Sequence, residues 1–313
     1  MSFKINDYTK SREMFERAEK VIPSGVYGHL GPAEGCFIPV SAFPLFGDRA
    51  QGSYFWDVDG NKFIDYMCAY GPNVLGYNDP DVDAAALEQA KKCNCTTSPS
   101  YKAVEFAELL VDTVNCADWA FFAKNGNDVT TAAIMTARAH THRKKIIFIN
   151  GFYHGISPWT QKVDYPGVLE EDVANNIYID WNDIPALERV IAENEGEIAA
   201  FISTPYLHGN FFDNQLPADG YWQKVRELCT KNGIVLIVDD VRAGFRLDIA
   251  GSDLTGADCL NTHCLRPVGV QLCSNTLQVQ DNFGNVFLDA LNGGELVDHA
   301  VDLDAGHGDT GQR

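Results

Sequence analysis

The sequence predicts an α/β fold with a mostly parallel sheet, on three observations. Gly233-Ile-Val-Leu-Ile-Val-Asp-Asp240 contains an unbroken, mostly β-branched apolar run, Ile234 to Val238. Such a run suits a strand buried on both faces of a sheet. Two similar runs precede it, Lys145–Ile149 and Ile198–Ser203. Helical stretches at 183–194 and 220–232 separate them, and strand–helix alternation is the signature of a parallel sheet.

Composition supports a packed core. The chain has 313 residues, 45% hydrophobic and 21% charged, enough for one large domain or two smaller ones. A net charge of −19 argues against a nucleic-acid-binding face, which needs basic residues. The sequence holds no apolar run long enough for a membrane span, and Met1 to Asp7 has no signal-peptide core. A cytoplasmic location is therefore expected. The nine cysteines are odd in number and scattered, which suits reduced thiols. Cys93-x-Cys95 and Cys259-x4-Cys264 lack a well-spaced second pair, so no metal site is expected.

The elements follow in order. Residues 8–21 predict an amphipathic helix with Phe15, Ala18 and Val21 on one face, stopped by Pro23-Ser24-Gly25. Ser53 to Tyr66 predicts a β-hairpin around Asp59-Gly60-Asn61. Asp57-x-Asp59-Gly60 also suggests a calcium loop, but the later acidic ligands are missing. Asp81 can cap a helix running to about Lys92. A second helix, Ala103 to Val114, should turn Phe106, Leu109, Leu110 and Val114 inward. Trp119 to Ala123 reads as a short buried strand, and Asp128 to His140 as a helix. The turn between them, Asn125-Gly126-Asn127, could hold an anion on free backbone N–H groups. Tyr153 and His154 sit on a loop after a strand, where a ligand pocket and a packed aromatic are equally good readings. Beyond Arg246 the texture changes: residues 254–313 hold eight acidic and two basic residues. Leu277 to Leu291 suggests strand and helix fragments, and the Gly/Asp-rich end from Asp302 suggests disorder.

Asp239 and Asp240 pose a chemical question. Ligands collect at the carboxyl ends of strands in open α/β sheets. Buried carboxylates there need a cation, and a metal, an arginine or a protonated heterocycle would each serve.

Several spaced motifs agree on one family. They include Phe15-Glu-Arg-Ala18 with Ile22-Pro-Ser-Gly-Val26, and Trp56-Asp-Val-Asp-Gly-Asn61 with Ile64-Asp-Tyr66. Tyr70-Gly-Pro72 and Leu75-Gly-Tyr-Asn-Asp-Pro80 follow, then Asn125-Gly-Asn127, Tyr153-His-Gly155, Gly209-Asn210 and Asp239-Asp-Val-Arg-Ala-Gly-Phe-Arg246. In this order the chain resembles the class III aminotransferases over about residues 11–251. It looks most like their glutamate-1-semialdehyde aminomutase branch.

The resemblance implies a fold-type I large domain that binds pyridoxal 5′-phosphate, with mostly parallel sheet and flanking helices. It implies an N-terminal segment at 1–52, an incomplete cofactor-binding domain at 53–253 and a divergent acidic tail at 254–313, truncated before the family's small C-terminal domain. Asp239 would pair with the protonated pyridine nitrogen. Asn125, Gly126 and Asn127 would hold the phosphate. Tyr153 and Val241 would cover the two ring faces, with His154 beside them and Tyr70 near the substrate. The partners implied are a small-molecule amino donor and acceptor and a second copy of the chain. The reaction implied is amino transfer on an amino acid or amino-aldehyde, between molecules or within one.

The chain departs from the family at three places. Thr204 stands before Pro205, and Asp240 after the ring-binding aspartate, where the family usually has glutamate. The third departure is the Schiff-base lysine, which the family takes from the segment after that aspartate. No lysine follows Lys231 here. No catalytic residue is therefore assigned, and little or no turnover is expected. The alternatives are a non-catalytic cofactor-binding or dimerising protein, and a truncated or frameshifted fragment whose sheet lacks its later strands.

Overall fold

The computed structural model describes residues 6–25, 46–71, 73–93, 96–114, 117–208, 213–246, 269–273 and 276–279. Ten strands and seven helices are named along these residues. A small antiparallel sheet runs β1 (Gly47–Gln51), β2 (Tyr54–Asp57), β3 (Lys62–Ile64). The main sheet has seven strands in the order β4-β10-β9-β8-β7-β5-β6. These are β4 (Trp119–Phe122), β5 (Lys145–Ile149), β6 (Asn176–Ile179), β7 (Ile198–Ser203), β8 (Val235–Asp239), β9 (Gly269–Cys273) and β10 (Thr276–Val279). β10 is antiparallel to both its neighbours, and the other pairings are parallel.

Parallel strands must be buried on both faces. Residues on β5 and β8 alternate accordingly. Ile147, Ile149, Leu236 and Val238 enter one core cluster, packed under α6 (Ile184–Glu193) and α7 (Tyr221–Asn232). Ile146, Phe148, Val235 and Ile237 enter the other, under α4 (Gly126–Thr141). Each such side chain contributes about 1.5–3 kcal/mol of burial. At the amino edge Arg143 Nη1 donates to the carbonyls of Ile198, Asn232 and Gly233, which pins β7 to the α7–β8 corner.

The remaining helices are α1 (Thr9–Ala18), α2 (Pro80–Lys92), α3 (Tyr101–Thr113) and the single turn α5 (Glu170–Val173). The Ser53–Tyr66 hairpin forms as predicted. Asp57 and Asp59 at its turn accept from backbone N–H groups. Asp57 accepts from the N–H groups of Asp59 and Asn61, and Asp59 accepts from those of Lys10 and Ser11 at the start of α1.

Several expectations need correcting. The cap of α2 is Asp79, which accepts from the N–H groups of Asp81 and Val82; Pro80 fills the first helical position and has no N–H to satisfy. Leu110 and Val114 of the α3 region are buried, but Phe106 is 47% and Leu109 60% exposed. Val21 lies past the end of α1 and is exposed. β4 is half-buried throughout, because it lies at the edge of the sheet. The expectation that the sheet lacks its later strands fails as well: β9 and β10 complete it. Residues 280–291, the 302–313 end and Gly209-Asn210 lie outside the described residues.

Candidate functional site

From β5 the chain moves outward to β6, but from β7 it moves the other way to β8 and β9. The switch between these directions opens a crevice at the carboxyl ends of the strands. The loops after β5 and β7 and the end of β8 border that crevice. The start of α4, after β4, adds a helix N-terminus.

Asp239 ends β8 and is only 5% exposed. His154, 3% exposed, places Nδ1 2.7 Å from Asp239 Oδ2. The N–H of Val241 donates to the other carboxylate oxygen at 3.2 Å. A buried carboxylate survives only with such partners. Among the described residues, buried His154 Nε2 has no hydrogen-bond partner. The His154 ring is fixed between Phe148 and Phe152, with centroids 6.1 and 6.3 Å away.

The helix N-terminus is tied to the same loop. Asn125 caps α4, its side-chain oxygen accepting from Asp128 N at 3.0 Å. Gly126 and Asn127 occupy the first turn, where backbone N–H groups have no acceptor within the helix. Gly126 lies against Val241: a Cβ there would stand 3.2 Å from Val241 Cγ2. Asn127 points its side-chain oxygen at the N–H groups of Ile156 (2.8 Å) and Ser157 (3.1 Å). Gly155, at φ +121°, makes room for it; a Cβ there would lie 2.3 Å from that oxygen. Thr130 Oγ1 donates to the carbonyl of His154 at 2.7 Å. The 125–127 turn and the Asp239–His154 pair are thus one connected unit.

Tyr153 is 55% exposed above this unit. Partial burial and the nearby Tyr165 and Asp239 push its hydroxyl above the usual tyrosine range. Asp240 is fully buried beneath the 241–246 turn, and its carbonyl accepts from Gly244 N at 2.8 Å. Thr204 is buried with its hydroxyl turned to the carbonyl of Tyr206. The 68–71 turn closes over the β8 end. Cys68 and Ala69 have φ of +50° and +52°, and Arg246 donates to the carbonyl of Gly71. Tyr70 is in that turn, and its side chain lies outside the described residues. Among the described residues no cluster of His, Cys, Asp and Glu could hold a metal ion.

One residue of the crevice has no signal in the sequence. His208 follows β7, and its ring stacks on Phe152 at 6.4 Å with the planes 9° apart. A lone histidine in a loop resembles any surface histidine until the fold brings it here.

The aminotransferase class-III family profile matches residues 38–251. The chain belongs to the class-III aminotransferase family. An aminopentol aminotransferase of Sphingopyxis macrogoltabida is 42% identical over 82% of this chain and 57% of that protein. A glutamate-1-semialdehyde 2,1-aminomutase of Desulforamulus reducens is 37% identical over 78% of this chain and 58% of its own length. The FumI protein of Sphingopyxis sp. MTA144, solved in its PLP internal aldimine form, superposes with a TM-score of 0.80 and 37% identity, over 90% of this chain and 67% of that one. These neighbours are fold-type I transaminases, and this class-III chain shares their α/β architecture. The chain spans less than two thirds of the curated relatives it matches.

Pyridoxal 5′-phosphate is the cofactor of this family. The residues present fit it on three points. Asp239 is a carboxylate buried at the end of β8, the first turn of α4 has backbone N–H groups with no acceptor inside the helix, and the exposed Tyr153 and Val241, whose N–H meets Asp239, lie near that carboxylate.

Proposed function

We propose that this chain is the cofactor-binding domain of a class-III aminotransferase or aminomutase lineage, and that it holds pyridoxal 5′-phosphate but turns over little or no substrate. The observation that carries the reading is the buried Asp239–His154 pair tied to the α4 N-terminus through Asn127 and Thr130. When bound, the cofactor supplies an electron sink for chemistry at an amino carbon.

Each residue's part follows from its surroundings. Asp239 keeps a proton on the ring nitrogen. His154, in the tautomer that donates Nδ1–H to Asp239, fixes the position of that carboxylate. The N–H groups of Gly126 and Asn127 bind phosphate, helped by the helix dipole. Asn125 sets the start of that helix, while Tyr153 and Val241 cover the two ring faces. Tyr70 is the residue assigned to the substrate side. Proton movement at the substrate's α-carbon needs a positioned base. No lysine follows Lys231 to supply it, and this limits turnover.

A second copy is the proposed partner. Val82 and Leu87 of α2 and Val104 and Leu109 of α3 are all exposed, apolar side chains available for burial between subunits. The amino donor and acceptor are small molecules, and the chain acts in the cytoplasm. No described helix is long and apolar enough to cross a membrane.

Titration of the purified chain with pyridoxal 5′-phosphate, followed by tryptophan fluorescence, tests the reading. Saturable binding is expected, about tenfold weaker in Asp239→Ala. Borohydride treatment of the loaded protein should leave no cofactor on a pocket lysine. Absence of saturable binding defeats the binding claim; a pocket lysine adduct defeats the claim about turnover.

A further inference from the structure

His208 belongs to no part of the arrangement above, yet it is held firmly. Leu207, before it, exchanges two backbone hydrogen bonds with Gln215, at 2.9 and 2.8 Å. Trp222 Nε1 donates to the carbonyl of Pro205 at 2.9 Å, and Thr204 Oγ1 to that of Tyr206 at 2.8 Å. The loop that presents His208 is therefore anchored from both sides. Its ring lies between Phe152, stacked at 6.4 Å, and Tyr206, edge-on at 5.6 Å.

Both ring nitrogens are buried, and among the described residues neither meets a hydrogen-bond partner in another residue; the only backbone within reach is that of His208 itself. Buried polar atoms are almost always satisfied, and an imidazole with two orphaned nitrogens is an exception that calls for a missing group. Phe152 gives the setting, since its ring contacts both His208 and the His154 that holds Asp239. Burial, with the Arg242 cation nearby, keeps His208 neutral by lowering its pKa to about 4. A neutral imidazole offers one N–H donor and one acceptor. The group that suits an N–H donor close to a guanidinium is an oxygen bearing negative charge.

We propose that His208 is a binding residue of this crevice, donating a ring N–H to an anionic oxygen of the bound ligand. The inference rests on the reading of the crevice as the cofactor site. That oxygen has two sources, the phenolate of the cofactor or a carboxylate of the substrate.

The experiment uses the full chain and its His208→Phe variant. Phenylalanine keeps the stacking on Phe152 and Tyr206 and removes both orphaned nitrogens. Affinity for pyridoxal 5′-phosphate, or for succinate as a simple dicarboxylate, should fall about tenfold, the effect of one hydrogen bond to a charged group. The Tm should stay level or rise, because unsatisfied buried atoms are removed. A purely structural histidine gives the reverse: lower Tm and unchanged affinity, which overturns the proposal. The second readout is the nitrogen resonance of the His208 ring. A shift with pyridoxal 5′-phosphate but not with its 3-O-methyl ether assigns the phenolate. A shift with succinate assigns a substrate carboxylate, and it stands even if the protein fails to bind the cofactor, so the two readings fail separately. A ring resonance unmoved by all three compounds overturns the proposal.

Discussion

Replacing His154 by phenylalanine should destabilise the chain by about 3 kcal/mol. The ring contacts with Phe148 and Phe152 survive the change, so packing alters little. What is lost is the 2.7 Å hydrogen bond to Asp239. A hydrogen bond to a charged group contributes about 1.5–3 kcal/mol. Removing one partner of a buried pair costs about 3–5 kcal/mol, because the other charge is stranded. Asp239 keeps the Val241 N–H, which places the loss where the two ranges meet. For a domain of about 150–250 residues this lowers Tm by roughly 6–12 °C. Urea denaturation followed by tryptophan fluorescence measures it. The decisive arm is a double-mutant cycle with Asp239→Asn, whose neutral amide leaves no charge to strand. On that background the effect of His154→Phe should fall below about 1 kcal/mol. An equal loss on both backgrounds would refute the pairing as the source of the stability.

Gly155→Ala should cost about 2–4 kcal/mol, since the new methyl displaces Asn127 and frees two backbone N–H groups. Gly151→Ala, at φ +85° with open space around it, is the control and should cost only about 1–2 kcal/mol of backbone strain. His208 has a lowered pKa, so the unfolded chain takes up its proton first and stability falls as pH drops from the ordinary value of 6.5 through about 4. His208→Phe should flatten that acid limb in pH-dependent denaturation. Burial pushes the Cys229 thiol up to about 12 from 9.0, so stability should decline as pH rises across that interval, and Cys229→Ala should remove the decline. Deleting residues 254–313 takes β9 and β10 from the sheet, so size exclusion should show aggregation; a sharp unfolding transition at the full-length Tm would contradict this.

The central strands were legible because their signal is local. β5 and β7 have the bounds that their apolar runs suggest, and β8 differs by one residue. β6 has no counterpart among those runs: Asn176-Ile-Tyr-Ile179 has only three apolar residues between Asn175-Asn176 and Asp180, too short a run to stand out from the loop around it. The faces of α3 were misread because helical periodicity defines an apolar stripe but not what covers it. Phe106 and Leu109 belong to that stripe, and the described residues leave them exposed. The candidate site was legible as motifs but not as geometry. Asp239 and the 125–127 turn could be placed by strand ends alone. The contact between His154 and Asp239 spans 85 residues, and no local pattern encodes it. The role of Asn127 was equally hidden, since its oxygen is committed to a loop almost thirty residues later.

The placement of β10 sets an order of events in synthesis. β4 leads into α4 through the 125–127 turn, and among the described residues its one strand partner in the main sheet is β10, in register Thr276↔Phe122 through Val279↔Trp119. A nascent chain can pair β5, β6, β7 and β8 once residue 239 has emerged from the ribosome. The docking of β4, and with it of the 125–127 turn, must wait until residue 279 is free. Between those points β4 and β8 both present open edges, and slow non-local closure is the step at which such chains aggregate. The residues beyond the family match thus act as the clasp for a pocket assembled from residues far upstream.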